Sequence, residues 1–287
     1  MYPKKFDYFL PSSLNEAIKL LHDKEDSKVL AGGQSLLALM KLRLAAPSAL
    51  VDITQVKDDL VYIRREKRHL AVGALTPHDQ LENDKGVQKL FPILVDAASK
   101  IGDQQIRNRG TVGGSCCHAD PAADLPTAFL ALDPKFVTRG MRGRRSIPSS
   151  DFFVDTFTTA VKKDEILTEI QIPYLPRRSG SAYIKHSRRE GDFAIVGVGV
   201  ALTVGPKNVC KDVRISLGAV AATPIRAKSA EKYLKGKKLD EGTIVAGAEK
   251  ANAEADPPSD MHGSREYRLE MIKVFTKRAV KLALSRV

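Results

Sequence analysis

The adjacent glycines Gly32 and Gly33 constrain the fold most, because they separate a short apolar segment from a longer segment of helical periodicity. Residues 28–31 have the apolar content of a short buried strand, and residues 34–44 predict a helix. A further strand is expected at residues 49–53. The first part of the chain therefore predicts a small β-α-β-like unit in which a glycine turn leads from a strand into a helix.

A well-marked helix precedes this turn. Ser13 and Glu16 form a capping box, in which the serine hydroxyl accepts from the amide of Glu16 and the glutamate carboxylate reaches back. The apolar residues that follow recur at positions i, i+3, i+4 and i+7, which places them on one helix face: Leu14, Ala17, Ile18 and Leu21. Residues 1–10 predict a strand-like entry to this helix.

The rest of the chain mixes strands and helices. Helices are predicted at residues 77–83, 92–100, 125–132 and 268–285, and strands within residues 60–75, 135–172, 183–185, 194–204 and 209–217. Residues 165–172 alternate charged and aliphatic side chains, which is typical of a half-buried strand. After Pro173 and Pro176 the pattern favours antiparallel strands, so we expect an α+β fold with a domain boundary near residue 174.

The chain of 287 residues carries a formal net charge of +12, and its basic residues cluster at 139–145, 177–178 and 185–189. Such clusters are usually solvated faces, and a surface that matches acidic partner subunits or an anionic cofactor is the alternative. The chain has no Trp, its aromatic content is 6%, and it contains no recognisable nucleic-acid module. These features argue against nucleic-acid binding.

Export, membrane insertion and a resident metal cluster are not expected. Asp7 and Pro11 interrupt the apolar region that a signal peptide needs. The longest apolar stretch, residues 194–204, is far shorter than the roughly 20 residues that cross a bilayer. None of the three cysteines has the C-x-x-C spacing of zinc or iron–sulfur sites. The protein is therefore expected to be cytoplasmic and to carry no cluster of its own.

Two glycine-bearing loops are candidates for ligand binding. The first is residues 31–36; the second, residues 111–115, follows Arg107 and Arg109. Glycines let a backbone approach a phosphate closely, and successive amides at a helix N-terminus form an anion site. Each loop alone is compatible with a plain tight turn, but together they predict a pyrophosphate-bearing ligand between two lobes. Neither matches the dinucleotide or phosphate-loop fingerprints, and the pair Gly197 and Gly199 belongs to a strand pattern.

Four segments, in this order along the chain, resemble the FAD-binding medium subunit of the molybdenum hydroxylases. That family includes the carbon monoxide dehydrogenase medium chain and the flavin domain of xanthine dehydrogenase. The segments are residues 29–53 with Ala31-Gly32-Gly33-Gln34-Ser35-Leu36, residues 101–126 with Thr111-Val112-Gly113-Gly114, residues 164–167, and residues 185–194 with Gly191-Asp192-Phe193.

The resemblance spans essentially the whole chain and implies its architecture. Residues 1–173 would form a two-lobed FAD-binding domain of the PCMH, vanillyl-alcohol-oxidase-like type, with lobes of about 1–56 and 57–173. Residues 174–287 would form a C-terminal domain of the carbon monoxide dehydrogenase flavoprotein type, with an antiparallel sheet and helices.

The resemblance also implies which residues bind FAD. The two glycine loops would contact the diphosphate, Asp124 would hydrogen-bond a polar part of the cofactor, and Leu167 and Lys185 would line its site. Ile101 would lie near the isoalloxazine, and Asp192 and Phe193 would lie in a loop that screens or opens its reactive face. The full expected set is Val29, Ala31, Gly32, Gly33, Gln34, Ser35, Leu36, Ile101, Thr111, Gly113, Gly114, Ser115, Asp124, Leu167, Lys185, Asp192 and Phe193.

Several of these residues have a structural alternative. Asp124 would instead cap the helix that starts at Leu125, Leu167 would be strand core, and Lys185 would be surface. His118 has no second ligand at metal spacing, so a structural histidine is favoured over a metal ligand. The sequence offers no acid–base pair or nucleophile for substrate chemistry.

The implied function is electron transfer within a larger complex. A large partner chain would oxidise carbon monoxide, an aldehyde or an N-heterocycle at its molybdenum cofactor. Electrons would pass through 2Fe–2S clusters on a small partner chain to the FAD held here and then to an external acceptor. The assembly would be a dimer of heterotrimers. The alternatives are a self-sufficient FAD-dependent oxidase or reductase of related fold, and a basic scaffold or nucleic-acid-binding protein.

Overall fold

The structure, a computed structural model, describes residues 2–287 and begins with a parallel three-stranded sheet. Its strands are β1 (Asp7–Phe9), β2 (Ser27–Leu30) and β3 (Ala49–Asp52), with β3 in the centre. Helix α1 (Leu14–Asp23) connects β1 to β2, and α2 (Leu36–Lys41) connects β2 to β3. Ser13 caps α1 by accepting from the Glu16 amide at 3.2 Å, as predicted, whereas the Glu16 carboxylate accepts from the amide of Ser12 at 2.8 Å and not from that of Ser13. Helix α2 is shorter than the predicted 34–44.

A second sheet and a layer of short helices follow. The chain passes through a 3₁₀ turn (Thr54–Val56) and α3 (Lys57–Leu60) into β4 (Ile63–Arg65) and β5 (His69–Gly73). Next come α4 (His78–Asn83), α5 (Lys85–Leu90), α6 (Pro92–Ala98), α7 (Gln104–Arg109), α8 (Val112–His118) and α9 (Asp124–Leu132). The remaining elements are β6 (Lys135–Gly140), β7 (Gly143–Pro148), α10 (Ser149–Phe152), the hairpin β8 (Phe153–Asp155) and β9 (Thr158–Thr159), and β10 (Glu165–Pro173).

Strand β10 is the centre of this antiparallel sheet, whose order is β4-β5-β10-β6-β7. The prediction of a half-buried strand at residues 165–172 is wrong, because apolar residues on both of its faces are buried: Ile166 in the core of the first unit, and Leu167 and Ile170 in the main core. A bulge between Leu167 and Glu169 shifts the alternation of side chains. Glu169 is also buried, and its charge is balanced by an ion pair with Arg144.

The C-terminal part is an antiparallel sheet covered by helices on one face. Its strands are β11 (Ser179–His186), β12 (Val196–Val204), β13 (Cys210–Gly218) and β14 (Ile225–Arg226), with a 3₁₀ turn (Pro206–Asn208) before β13. The covering helices are α11 (Lys228–Leu234), α12 (Glu241–Ala248) and α13 (Arg265–Ser285). Among residues 2–287, no helix combines the length and the apolar content needed to span a membrane.

Glycines allow helices to pack closely on the C-terminal sheet. A methyl group on Gly218 in β13 would overlap the hydroxyl of Thr127 on α9, and one on Gly180 in β11 would overlap the main-chain oxygen of Ala283 on α13. Helix α9 is therefore packed between the second and third sheets, and its first residue, Asp124, lies at their junction. The division into domains near residue 174 stays a prediction, which coincides with the turn between β10 and β11.

The helices that sequence patterns missed are short or glycine-rich. Residues 101–115, where no regular element was predicted, contain α7 and most of α8. Gly113 and Gly114 lie inside α8 although glycine disfavours helix. The cap at Asp103, which accepts from the Ile106 amide at 2.9 Å, was the available signal for α7. The α11–α12 pair also went unpredicted.

Arg268 on α13 provides a test of how the C-terminal half is held together. Its side chain is 3% exposed and donates to the main-chain oxygens of Ile195 (2.6 Å) and Ala219 (3.1 Å) and to both carboxylate oxygens of Asp260. Arg268→Ala is expected to lower the free energy of unfolding by about 3 kcal/mol, because these acceptors lose their donor.

The matched control is Arg265→Ala in the first turn of the same helix. Arg265 pairs with Asp256, whose side chain is 87% exposed, so its loss should cost about 0–1 kcal/mol. Urea unfolding followed by far-ultraviolet circular dichroism measures both variants. Equal losses would show that Arg268 has no special structural role.

Candidate cofactor-binding site

The first glycine loop, residues 31–36, runs from the end of β2 to the start of α2. Gly33 has a φ of +74°, a left-handed conformation that glycine adopts without steric cost. Within residues 2–287, the amides of Gly32, Gly33, Gln34 and Ser35 have no hydrogen-bond acceptor. Successive amides of this kind can bind an anion. The loop can therefore hold a phosphate group.

The two glycine loops are in contact. A methyl group on Gly32 would overlap the main-chain oxygen of Arg109 and lie 2.9 Å from the Cα of Gly110. Gly110 in turn leaves room for the ring of His78, whose amide donates to the Gly110 carbonyl oxygen at 3.0 Å. Because only glycine allows such an approach, the fold brings together the two segments that were predicted to share a pyrophosphate.

The second loop, residues 111–115, forms the first turn of α8. Thr111 caps the helix by accepting from the Gly114 amide at 3.1 Å. The amides of Val112 and Gly113 donate to main-chain oxygens just after β5, at 2.9 and 2.8 Å. These amides already have acceptors. The prediction that both loops offer free amides to an anion therefore fails for the second loop. The second loop instead packs beside the first, with its own amides bonded within the chain.

The two arginines before the second loop have different environments. Arg107 donates to the main-chain oxygen of Ile101 at 3.1 Å and lies 3.0 Å from the carboxylate of Glu82. Arg109 is exposed and meets Gly32 through its main-chain oxygen. Arg107 therefore fastens the turn before α7 and does not offer its charge to an anion in the loops.

A buried ion pair joins α9 to β11. The Nζ of Lys185 donates to Oδ2 of Asp124 at 2.9 Å and to the main-chain oxygen of Lys100 at 2.9 Å. The two side chains are 3% and 7% exposed, and the Tyr183 hydroxyl donates to the other carboxylate oxygen at 2.8 Å. Burial raises the pKa of Asp124, while Lys185 and Tyr183 oppose that rise. Such hydrogen bonds offset the cost of burying two charges.

These contacts decide between the alternative roles of the predicted residues. Ala123 occupies the N-cap position of α9, so Asp124 is not a helix cap. Lys185 is buried and is not a surface residue. Leu167 is 4% exposed and packs in the main core, as expected if it is a core residue of the strand. Its role at the cofactor stays a prediction.

The loop after β11 packs against the turn before α7. Gly191 has a φ of +84°, and a methyl group on it would lie 2.8 Å from the main-chain oxygen of Gly102. Lys100, beside this turn, bonds to Glu190 at 3.0 Å. Ile101 is half-buried there. The predicted screening loop and the predicted isoalloxazine neighbour are therefore adjacent in the fold.

The other predicted contacts lie on or beside these loops. Asp192 is 3.6 Å from the Nε of Arg189, and Phe193 is 67% exposed. Val29 and Ala31 pack against the core beneath the first sheet, and Leu36 packs against Met40 and its neighbours. The remaining two, Gly114 and Ser115, are half-buried in α8.

His118, at the end of α8, packs against an aromatic ring. Its ring centroid is 5.0 Å from that of Phe157, and burial lowers its pKa although Asp120 opposes the change. In the part of the chain that the structure describes, no three His, Cys, Asp or Glu side chains are grouped as metal ligands.

Sequence patterns missed Tyr183 and His78. Tyr183 lies two residues before Lys185 on β11, so the strand period places both on one face; this spacing was the available signal. A methyl group on Gly197 would lie 2.6 Å from the Tyr183 hydroxyl, so that glycine makes room for it. Burial and the charge of Arg107 lower the pKa of His78 to about 4, and the ring stays neutral behind the second loop.

Two glycine loops are in contact, one of them with free amides, and a buried ion pair joins the start of α9 to β11. This arrangement defines a protein that binds a phosphate-bearing cofactor. A family model described as the FAD binding domain in molybdopterin dehydrogenase matches residues 4–175. A second, the CO dehydrogenase flavoprotein C-terminal domain, matches residues 181–283.

The chain is similar over its full length to subunits of known dehydrogenases. It is 40% identical to the 6-hydroxypseudooxynicotine dehydrogenase complex subunit alpha of Paenarthrobacter nicotinovorans, covering 100% of this chain and 97% of that one. It is 39% identical to the glyceraldehyde dehydrogenase medium chain of Sulfolobus acidocaldarius, covering 98% and 99%. A solved carbon monoxide dehydrogenase from Hydrogenophaga pseudoflava superposes with a TM-score of 0.96 at 38% identity, covering 100% and 99%.

The chain belongs to the family of FAD-binding medium subunits of the molybdenum hydroxylases. It is thus an FAD-binding component of a multi-subunit oxidoreductase. This confirms the family predicted from the four sequence segments, the α+β fold with a two-lobed FAD-binding part before an antiparallel C-terminal part, and FAD as the cofactor.

Gly32→Ala tests the contact between the two loops. The added methyl group overlaps the main-chain oxygen of Arg109, so the loops must separate and the affinity for FAD is expected to fall about tenfold or more. Gly242→Ala on α12 is the matched control, because its methyl group would meet nothing nearer than 3.9 Å. Titration followed by flavin fluorescence gives both dissociation constants. Unchanged affinity in Gly32→Ala would contradict the role of the contact.

Lys185→Met tests the buried pair through its pH dependence. The variant leaves the Asp124 carboxylate buried without its cation, so its pKa rises further and the folded state binds a proton more tightly than the unfolded state. The free energy of unfolding should fall by about 3 kcal/mol at pH values above the raised pKa, and the loss should shrink as the pH falls through that pKa.

The control for this experiment is the double variant Asp124→Asn, Lys185→Met, which has no buried carboxylate. Its loss of unfolding free energy relative to the native chain should not shrink as the pH falls, unlike that of Lys185→Met. Urea unfolding at pH 5 and pH 8 makes the comparison. The same pH dependence in both variants would mean that Asp124 is not the titrating group.

Proposed function

We propose that this chain is the electron-transfer flavoprotein of its complex and holds FAD at the contact between the two glycine loops. It takes electrons from 2Fe–2S clusters on a small partner chain and delivers them to an external acceptor, while a large partner chain oxidises the substrate at molybdenum. The observation that carries the proposal is the run of four amides from Gly32 to Ser35 without an acceptor in the described chain. FAD supplies redox chemistry with single or paired electrons.

The residues around the loops have distinct tasks in this proposal. The amides of the first loop donate to the diphosphate, and the glycine contact with Arg109 keeps the second loop, from Thr111 to Ser115, beside it. Asp124 and Lys185 fix the turn at Ile101 through the main-chain oxygen of Lys100. The loop with Asp192 and the exposed Phe193 forms the edge of the site.

The titratable groups at the site favour electron transfer over acid–base chemistry. Asp124 is already hydrogen-bonded by Lys185 and Tyr183. Burial raises the pKa of Tyr183 well above its usual value, and His78 has a pKa of about 4. A general base or acid works best with a pKa near the operating pH and a free partner atom. These groups position the cofactor and do not exchange protons with a substrate.

The partners follow from the family. The relatives are described as a complex subunit and as a medium chain, which supports a small iron–sulfur chain and a large molybdenum chain as partners of this one. We propose a dimer of heterotrimers. The named relatives act on a nicotine derivative, glyceraldehyde and carbon monoxide, so the substrate of this complex is expected to be an N-heterocycle, an aldehyde or carbon monoxide, selected by the large chain.

The purified chain is expected to show flavin absorption and to release FAD on acid treatment. If the isolated chain is colourless, added FAD should bind to it alone or together with the two partner chains. Absence of FAD under all three conditions would contradict the proposal. Steeply salt-dependent nucleic-acid binding by a colourless chain would instead support the basic-scaffold alternative.

Partner dependence tests the direction of electron flow. In the assembled complex, substrate should bleach the flavin absorption; in the FAD-loaded chain alone, it should not. The matched control is the complex without its small chain, in which bleaching should also fail. Turnover of substrate by the isolated chain would show a self-sufficient oxidase or reductase.

A further inference from the structure

A cavity lies in the FAD-binding part of the molecule, where α1 and the end of α3 meet the second sheet. Its volume is about 320 Å³, at the lower end of the range of small-molecule pockets. None of its residues belongs to the predicted FAD contacts. We call it the arginine cleft, and it is lined by Leu14, Asp59, Leu60, Tyr62, Arg64, Arg139, Arg144, Thr168 and Glu169.

Three arginines from three strands converge in this cleft. Arg64 lies on β4, Arg139 on β6 and Arg144 on β7. Arg139 and Arg144 are direct cross-strand partners in the β6–β7 ladder. Like charges directly opposite each other destabilise a sheet. The arrangement therefore costs stability unless negative charge compensates it.

Glu169 compensates only part of this charge. Its side chain is 10% exposed and accepts from Arg144 at 2.8 Å, from the Tyr62 hydroxyl at 2.8 Å and from Gln171 at 2.6 Å. Burial opposes ionisation, but these donors hold the pKa of Glu169 below its usual value. The carboxylate is thus ionised and its oxygens are already occupied.

The other two guanidinium groups keep unused donors. Arg64 stacks on the Tyr62 ring at 3.9 Å and reaches Glu169 only at 4.0 Å; in the described chain it makes no hydrogen bond. Arg139 donates only to the uncharged side-chain oxygen of Asn15, at 3.0 Å. Guanidinium groups bind oxyanions through two parallel N–H donors. The cleft therefore has donors for one further anion.

We propose that the arginine cleft binds a small oxyanion, a compact metabolite or ion with a carboxylate or phosphate group, through Arg64 and Arg139. The bound anion reduces the repulsion between Arg139 and Arg144. Glu169 neutralises Arg144 but makes no bond with Arg139. The volume of about 320 Å³ accommodates a compact ligand, and the exposed carboxylate of Asp59 among the lining residues opposes the binding of additional negative charge.

The test is isothermal titration calorimetry of the full chain with inorganic phosphate and with succinate, at constant ionic strength set by chloride. Saturable binding of at least one probe is expected. Arg64→Gln and Arg139→Gln should each weaken it about tenfold, because each removes a charged pair of donors. Arg142→Gln, in the same hairpin but outside the cleft, should leave the affinity within about twofold. Circular dichroism confirms that each variant is folded.

A second variant separates the cleft from the first glycine loop, which also has anion-binding amides. Gly32→Ala should leave phosphate binding at the cleft unchanged. Binding that is lost in Gly32→Ala and kept in Arg139→Gln would assign the anion to the glycine loop and overturn the proposal. No binding of either probe, or equal weakening by Arg142→Gln and Arg139→Gln, would overturn it as well.

Discussion

The geometry of the candidate cofactor site depends on the buried pair of Lys185 and Asp124. In a low-dielectric interior neither charge is stable alone, so the start of α9 and the end of β11 must stay together. Lys185 also donates to the main-chain oxygen of Lys100, and the pair therefore fixes the turn that carries Ile101. One ion pair thus connects the C-terminal sheet to the FAD-binding part.

A second ion pair, between Asp96 and Arg286, helps to position the strand that carries Lys185. Both carboxylate oxygens of Asp96 on α6 accept from Arg286, at 2.6 and 3.0 Å, and one of them also accepts from the amide of Tyr183 at 3.0 Å. This holds β11 where the Tyr183 hydroxyl reaches Asp124. Gly180 allows α13 to lie close to β11, and Gly218 allows α9 to lie close to β13. The site is therefore positioned by packing between two halves of the chain, and not by its loops alone.

Local signals predicted those parts of the fold that depend on neighbouring residues. The capping box and apolar face of α1, the strands of the C-terminal sheet and the glycine loop at residues 31–36 are all local patterns. Contacts between distant segments were not predictable in this way. The contact of Arg107 with Glu82, the satisfied amides of the second loop and the Tyr183–Asp124 bond join residues that are 25 or more positions apart in sequence or lie in different elements. The family resemblance predicted which loops meet, but not which donors remain free.

The basic clusters illustrate the same limit for electrostatics. Within residues 139–145, which form one positive run in sequence, Arg145 is bound to Glu165 and Arg144 to Glu169, whereas Arg139 has only an amide oxygen as its partner. Arg139 and Arg144 are cross-strand partners on the same face of the hairpin, so alternation of faces does not separate the paired arginines from Arg139. What differs is whether an acidic side chain lies within reach. Net charge therefore does not measure the anion-binding surface of this chain. The carboxylates of β10, Glu165 and Glu169, decide which arginines of this run are neutralised.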